Sequence, residues 1–179
     1  MGYRFWGWEH ADAPAVTDEY KGICTPVDLY DALSEIWCAD TCAPRMRQNW
    51  TRENRTLGQC SITAFLAQDI FGGKVYGVPR PDGNFHCYNA AGDCRFDLTS
   101  EQFRDEVLVY ENNPEQFREV HFAKEEKKQR YEYLKKKLKE YCDRRDSMYI
   151  VQTQYQAAYR NRVESGRAGF DGGGEQGYL

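Results

Sequence analysis

The chain has 179 residues, of which 41% are hydrophobic and 15% aromatic, and its formal net charge is −4. This size and hydrophobic content suffice for one domain with its own core. The net negative charge argues against a protein that binds nucleic acid over its whole surface. The sequence contains no apolar run long enough to span a membrane and does not open on a signal segment, so we expect a cytoplasmic protein with reduced thiols.

The first quarter of the chain predicts an arm, a helix and a loop. Residues 1–20 are aromatic and acidic without a clear period, and we interpret them as an N-terminal arm. Pro26 to Trp37 is predicted as a helix, because its apolar residues recur on one face. Residues 40–56 are predicted as a loop that lines one side of any substrate cleft, with Trp50 and Arg47 as the candidate contacts.

A cysteine begins the second predicted helix. The apolar run that starts at Cys60 is stopped by Gly72-Gly73, and the loop residues 56–58 precede it. Cys60 therefore lies at or near a helix N-terminus, where unpaired N–H groups and the helix dipole stabilise a thiolate. Gln59 lies beside it and could donate a side-chain N–H to an oxyanion.

Three short strands are predicted after this helix, over residues 74–78, 84–89 and 94–98, with turn residues between them. The second strand contains His86 and the third contains Asp97. Since consecutive strands of a hairpin or meander are neighbours, we expect these two side chains near the start of the helix that carries the cysteine.

These three residue types can build a nucleophilic site. An imidazole beside a thiol lowers the thiol pKa, and a carboxylate behind the imidazole fixes its tautomer and orientation. We therefore interpret Cys60 as nucleophile, His86 as base and Asp97 as orienter. Asn89 is an alternative orienting group, and Asp97 could instead cap a helix predicted to begin near Ser100.

This order of residues is similar to that of the papain-like and transglutaminase-like cysteine enzymes. The stretch His86-Cys87-Tyr88-Asn89, followed by Gly92 and Asp97-Leu98-Thr99, resembles the transglutaminase-like pattern. Residues 25 to 105 also resemble the YunG-like bacterial proteins. The residues that carry this second resemblance are Trp37, Thr41, Trp50, Gly58-Gln59-Cys60, Thr63-Ala64, Gln68-Asp69, Phe71-Gly72-Gly73, His86, Asn89, Asp97-Leu98-Thr99 and Gln102-Phe103.

These resemblances imply an α+β fold in which a helix carrying the cysteine packs on a small antiparallel sheet, as in the papain-like or transglutaminase-like core. They imply a cysteine-dependent hydrolase or acyltransferase that acts on an amide or a thioester, in a protein, a peptide or a small molecule. We predict no cofactor. The YunG-like resemblance leaves the substrate open.

Other interpretations compete for the same cysteines. A free cysteine is among the most buried residue types, so Cys60 could be a core residue. Cys38 and Cys42 with Cys24, or Cys87 with Cys94, could suggest a metal site, although the spacings do not form a zinc-knuckle pair. We predict no metal.

The C-terminal third is predicted to be an extension to a core domain at residues 21–121. Residues 122–165 are charged and helix-prone with a narrow apolar stripe, and residues 166–179 form a Gly-rich tail that we expect to be disordered. The segment 122–146 carries a net positive charge. The alternative function is therefore a non-catalytic module that binds a protein partner through this basic helix.

Overall fold

A computed structural model of the chain describes residues 5–168, with side chains up to residue 163. The fold is α+β, with a small antiparallel sheet of four strands and a C-terminal helix. The chain divides into two compact units between Cys142 and Asp143. The elements are α1 (Pro26–Ile36), α2 (Cys60–Phe71), β1 (Lys74–Pro79), β2 (Phe85–Ala91), β3 (Cys94–Phe96), β4 (Glu115–Gln116), α3 (Arg118–Phe122) and α4 (Glu125–Ala168).

A capping box fixes the start of α1. The Thr25 hydroxyl accepts the backbone N–H of Asp28, and the Asp28 carboxylate accepts the backbone N–H of Thr25 at 2.8 Å. The apolar face of α1 is buried, and the indole Nε1 of Trp37 donates to the Thr63 hydroxyl of α2 at 3.2 Å. This contact joins the first helix to the helix that carries Cys60.

The strands lie in the order β3-β2-β1-β4, and every neighbouring pair is antiparallel. β1 pairs with β2 along its whole length. β3 pairs with β2 only over Asn89–Ala91, so the first part of β2, which contains His86, has no β3 residue beside it. Asp97 follows directly after β3, next to the part of β2 that has no β3 partner.

A buried side-chain hydrogen bond sets the position of α2 on the sheet. The Asn89 amide nitrogen donates to the backbone carbonyl of Ala64 at 2.8 Å, and both residues are almost fully buried. Buried polar groups need such partners, because an unpaired amide in the core is costly. The bond therefore favours one register of the helix along β2.

The N-terminal arm is part of the first unit, and the segment after β3 differs from the prediction. Phe5 is fully buried, and the backbone carbonyl of Trp6 accepts the N–H of Asp97 at 3.0 Å. The backbone N–H of Trp6 donates to the Ser100 hydroxyl at 2.8 Å. The helix predicted to begin near Ser100 is a short 3-10 helix, Ser100–Phe103, without a side-chain cap, because the Asp97 carboxylate has other partners.

The first part of α4 belongs to the core. Tyr131, Leu134, Leu138 and Cys142, the predicted apolar stripe, are buried in the main hydrophobic cluster. The first unit thus runs to Cys142. The sequence analysis had ended the core domain earlier, at residue 121.

The second unit, taken by itself, is the continuation of α4 from Asp143 to Ala168, and its side chains up to residue 163 are mostly exposed. Most of the predicted disordered tail, residues 169–179, lies outside the described residues. No helix in the described part of the chain is long and apolar enough to cross a membrane.

We expect Leu134→Ala to lower the free energy of unfolding by about 2–5 kcal/mol, because it removes a fully buried side chain and leaves a cavity. The neighbouring Tyr133, which is 40% exposed, is the matched control, and Tyr133→Ala should cost less than about 1 kcal/mol. Urea unfolding followed by circular dichroism measures both. Equal, small losses would show that α4 is dispensable for the core.

Candidate active site

A buried His–Asp pair forms the centre of the site. Nε2 of His86 lies 2.5 Å from Oδ2 of Asp97, and the two side chains are 2% and 1% exposed. A carboxylate oxygen can only accept, so Nε2 carries the proton in this pair. The other ring nitrogen, Nδ1, is left for a second partner, and Asp97 fixes the tautomer as a triad carboxylate does.

Both oxygens of the Asp97 carboxylate are hydrogen-bonded. Oδ2, which faces His86, also accepts the Tyr110 hydroxyl at 2.8 Å. Oδ1 accepts the backbone N–H of Thr99 at 3.0 Å and the Thr99 hydroxyl at 3.1 Å. A buried carboxylate without such donors would be strongly destabilising. These hydrogen bonds therefore stabilise the Asp97 carboxylate next to the His86 ring.

Aromatic rings hold this arrangement from two sides. The Trp6 and Tyr110 rings are stacked, with centroids 3.8 Å apart, and this contact fixes the Tyr110 ring whose hydroxyl reaches the carboxylate. Phe103 packs edge-on against the His86 ring at 4.5 Å. The imidazole therefore has little freedom to rotate away from Asp97.

The charges of the site favour an imidazolium. Burial opposes the charged form of His86, but the Asp97 carboxylate and the Cys60 thiol outweigh burial and raise the pKa of His86 to about 10. At neutral pH the ring is therefore protonated on both nitrogens. A protonated ring beside a thiol is the arrangement that stabilises a thiolate.

Cys60 occupies the first residue of α2 and is partly exposed. A side-chain hydrogen bond from Cys87 lowers the pKa of Cys60 most, burial opposes this, and the interaction with His86 lowers the pKa further. The net result is a Cys60 pKa well below the ordinary thiol value. The N-terminal end of α2 adds a partial positive charge at the same point. These contacts favour the thiolate form of Cys60.

Cys87 is the neighbour whose side chain lowers the pKa of Cys60 most. It lies beside His86 on β2 and is 1% exposed. The hydrogen bond that it gives to Cys60, together with burial, raises the pKa of Cys87 well above the ordinary value. The two thiols are therefore unlike: the pKa of the partly exposed Cys60 is lowered, and the pKa of the buried Cys87 is raised.

The other predicted site residues serve different local contacts. The fully buried Gln59 donates an amide N–H to the Cys38 carbonyl at 3.2 Å, so its oxyanion role stays a prediction. The Asn89 amide donates to the Ala64 carbonyl in α2, and Asp97 contacts the His86 ring, so the choice of orienting residue stays a prediction.

Neither predicted cleft residue has a recorded contact with Cys60, His86 or Asp97. The Trp50 indole donates to the Arg55 carbonyl at 3.0 Å. Arg47 is 43% exposed at its side chain and bonds to the Asp40 carbonyl at 3.3 Å. Arg47 lines a cavity of about 360 Å³ together with residues of α4, and none of Cys60, His86 and Asp97 lines that cavity. A substrate role for Trp50 and Arg47 stays a prediction.

Four residues of the site escaped the sequence analysis as functional groups. Cys87 follows His86 directly and Thr99 lies two residues after Asp97, so their nearness in the sequence was the available signal. Tyr110 and Trp6 lie far along the chain from Cys60 and Asp97, and no periodicity or motif connects them. Only the folded chain brings the four together.

A second polar chain approaches the two cysteines from α3 and α4. Nε2 of His121 donates to the Gln116 side-chain oxygen at 3.0 Å, and Nδ1 of His121 accepts from the Lys127 ammonium at 3.1 Å. Burial and the nearby Lys127 lower the pKa of His121 to about 4, so this histidine is neutral. Lys127 interacts electrostatically with Cys87 and Cys60. Its positive charge therefore favours the thiolate.

The family model described as "YunG protein" matches residues 25–143. The chain belongs to the YunG family. The YunG match includes Cys60, His86, Asp97 and Tyr110, and it ends one residue beyond the boundary between the two compact units. A relative called "Uncharacterized protein YunG", from Bacillus subtilis (strain 168), is 35% identical over 86 residues, which are 48% of this chain and 71% of that protein. No solved structure matches the chain.

We expect Asp97→Asn to shift the alkylation of Cys60 to higher pH. Without the carboxylate the pKa of His86 falls from about 10, the imidazolium is lost near neutrality, and the pKa of Cys60 rises toward its ordinary value of about 8.5. The rate of iodoacetamide labelling at Cys60, read by peptide mass spectrometry from pH 5 to pH 10, measures the shift. An unchanged pH profile would contradict an Asp97-supported ion pair.

Tyr110→Phe should destabilise the fold by about 1.5–3 kcal/mol, because it removes a hydrogen bond to a buried charge. The control is Tyr20→Phe, since the buried Tyr20 hydroxyl has no hydrogen-bond partner among the described side chains. Urea unfolding compares the two variants. If both lose the same small amount, the Tyr110 hydroxyl does not support Asp97.

Proposed function

We propose that this YunG-family protein is a cysteine-dependent hydrolase or acyltransferase with a papain-like or transglutaminase-like core, acting on an amide or a thioester. The observation that carries the proposal is the buried 2.5 Å contact between His86 and Asp97, with the Cys60 thiol interacting with the same histidine at a helix N-terminus. A structural cysteine needs no oriented imidazole, whereas a nucleophile does.

In the proposed reaction the Cys60 thiolate attacks the carbonyl carbon of the substrate. The tetrahedral intermediate collapses as the His86 imidazolium gives its proton to the leaving amine or thiol, which leaves an acyl group on Cys60. Neutral His86 then takes a proton from water or from an acceptor amine as that nucleophile attacks the thioester. The acid or the new amide departs, and the Cys60 thiolate and the imidazolium are restored.

Two N–H donors are candidates for the developing oxyanion. The backbone N–H of Cys60 is in the first turn of α2, where helix N–H groups have no partner within the helix. Gln59 stands next to it and has one amide N–H committed to the Cys38 carbonyl. Hydrolysis and acyl transfer share the first half-reaction, so the acceptor decides between them.

We expect Cys60→Ala to abolish formation of an acyl-enzyme and His86→Ala to slow it by about 10²–10⁴-fold, the usual contribution of a general base. The probes are a 4-nitrophenyl ester and a short acyl thioester, and the readout is the mass of the Cys60 peptide after rapid quenching. Cys94→Ala is the matched control, because Cys94 is also partly exposed but pairs with Asp12 at 3.0 Å. The proposal fails if wild type and Cys60→Ala react alike with both probes.

The alternative function is a non-catalytic partner-binding module, and one observation favours it. In the second unit many large apolar side chains are exposed; they are Met148, Tyr149, Ile150, Val151, Tyr155, Tyr159 and Val163.

The test of this alternative is a truncation. The apolar stripe at residues 131–142 packs in the chain's own core, so deleting residues 122–146 would unfold the protein. Ending the chain after residue 143 is the sharper test: a partner lost on truncation, together with an inert Cys60, supports the module.

A further inference from the structure

The α2–β2 register brings a second sulfur to Cys60. Asn89 is bonded to Ala64, and Cys87 lies two residues before Asn89 on the same face of β2. Cys60 lies one helical turn before Ala64. The step along the helix is about 6 Å and the step along the strand is about 6.6 Å, so the two are nearly equal. Both steps run in the same direction, because α2 ends at Phe71 and Lys74, shortly after it, pairs with Ala90 near the end of β2.

The two sulfurs also differ in the way that a redox pair requires. Cys60 is partly exposed, whereas Cys87 is buried. Redox-sensitive cysteines are solvent-accessible thiolates that stand beside a second, resolving thiol. The positive charges of His86 and Lys127 near the pair favour attack by a sulfur anion.

We propose that Cys60 and Cys87 are a peroxide-reactive pair that closes to a reversible disulfide. The oxidant is a hydroperoxide, and Cys87 is the resolving cysteine. The bridge needs only a reachable nucleophilic sulfur and a neighbouring thiol, so it does not depend on acyl transfer. A disulfide at Cys60 would also remove the nucleophile of the proposed acyl transfer and so switch that reaction off; this regulatory consequence rests on the proposed function.

The chemistry balances with the hydroperoxide as the only added reactant. The Cys60 sulfur attacks the terminal peroxide oxygen, an S–O bond forms and the O–O bond breaks. The departing alkoxide or hydroxide takes a proton from the His86 imidazolium, which leaves a sulfenic acid on Cys60. The Cys87 sulfur then attacks the Cys60 sulfur, the S–O bond breaks, and hydroxide leaves with the Cys87 proton as water. Two thiols are oxidised by two electrons and the hydroperoxide is reduced to an alcohol, or to water, with one further water released.

Cys94, Cys42 and Cys142 do not share this arrangement. The Cys94 thiol donates to the Asp12 carboxylate. Burial, and then this hydrogen bond, raise the pKa of Cys94 and disfavour its thiolate. Cys42 is buried near the Gly58 turn, and burial raises its pKa. Cys142 is buried in the main hydrophobic cluster. We expect the bridge between Cys60 and Cys87 to form in preference to a bridge from Cys60 to any of these three.

The experiment treats the reduced full chain with hydrogen peroxide in slight excess, blocks free thiols, and maps disulfides by peptide mass spectrometry. The expected product is a single crosslinked peptide pair containing Cys60 and Cys87, two hydrogens lighter than the free peptides and restored by a thiol reductant. Wild type that carries sulfinic acid on Cys60 without a bridge overturns the proposal. So does a bridge from Cys60 to another cysteine, or a Cys60 that remains reduced.

Cys87→Ala and Cys142→Ala form a matched pair, because both remove a buried thiol. In Cys87→Ala the sulfenic acid should persist, react with dimedone, and pass irreversibly to sulfinic acid, while Cys142→Ala should bridge like wild type. Equal protection of Cys60 in both variants contradicts a resolving role for Cys87. Mapping of the wild type alone still decides the matter if Cys87→Ala does not fold. Because the readout is mass and not turnover, a failed bridge is distinguishable from a failed acyl-transfer proposal.

Discussion

The buried carboxylate of Asp97 is the constraint around which the site is built. A charge at that depth is tolerable only with donors on both oxygens, and the chain supplies them from His86, Thr99 and Tyr110. Each donor fixes a different segment: a strand, the turn after β3, and the loop that follows it. The backbone of Trp6 adds a fourth segment by bonding to the Asp97 N–H. The hydrogen bonds to Asp97 therefore hold four segments of the first unit together.

The second determinant is the register of α2 on β2. The bond from Asn89 to Ala64 brings the start of α2 to the part of β2 that β3 leaves unpaired. The same register gives Cys60 its two neighbours, His86 and Cys87. The proposed acyl transfer and the proposed disulfide therefore draw on one geometric fact, since a thiolate that is stabilised for one reaction is available for the other.

Local patterns predicted the elements well where propensity and packing agree. The proline at the start of α1, the apolar run of α2 and the turn residues around β1 to β3 all point to the structures that form. At Ser100 the predicted helix is only a short 3-10 helix without a side-chain cap, because the Ser100 and Thr99 hydroxyls are bonded to the arm and to Asp97. The sequence also could not place Tyr131 and Leu134 in the core, since an amphipathic charged helix looks the same whether its apolar stripe faces its own domain or a partner.

The roles of Trp6 and Tyr110 could not be predicted for another reason: they come from contacts between separate parts of the chain, which no local pattern encodes.

The bond between Trp6 and Ser100 spans 94 positions of the sequence. Closing so long a loop costs conformational entropy, and such contacts form late relative to local helices and hairpins. The hairpin of β1 and β2, by contrast, can form from neighbouring residues. A chain whose arm has not docked lacks the Trp6 contacts to the Asp97 backbone and to the Tyr110 ring. The surroundings that lower the pKa of Cys60 exist only in the folded chain, so an unfolded chain carries an ordinary thiol.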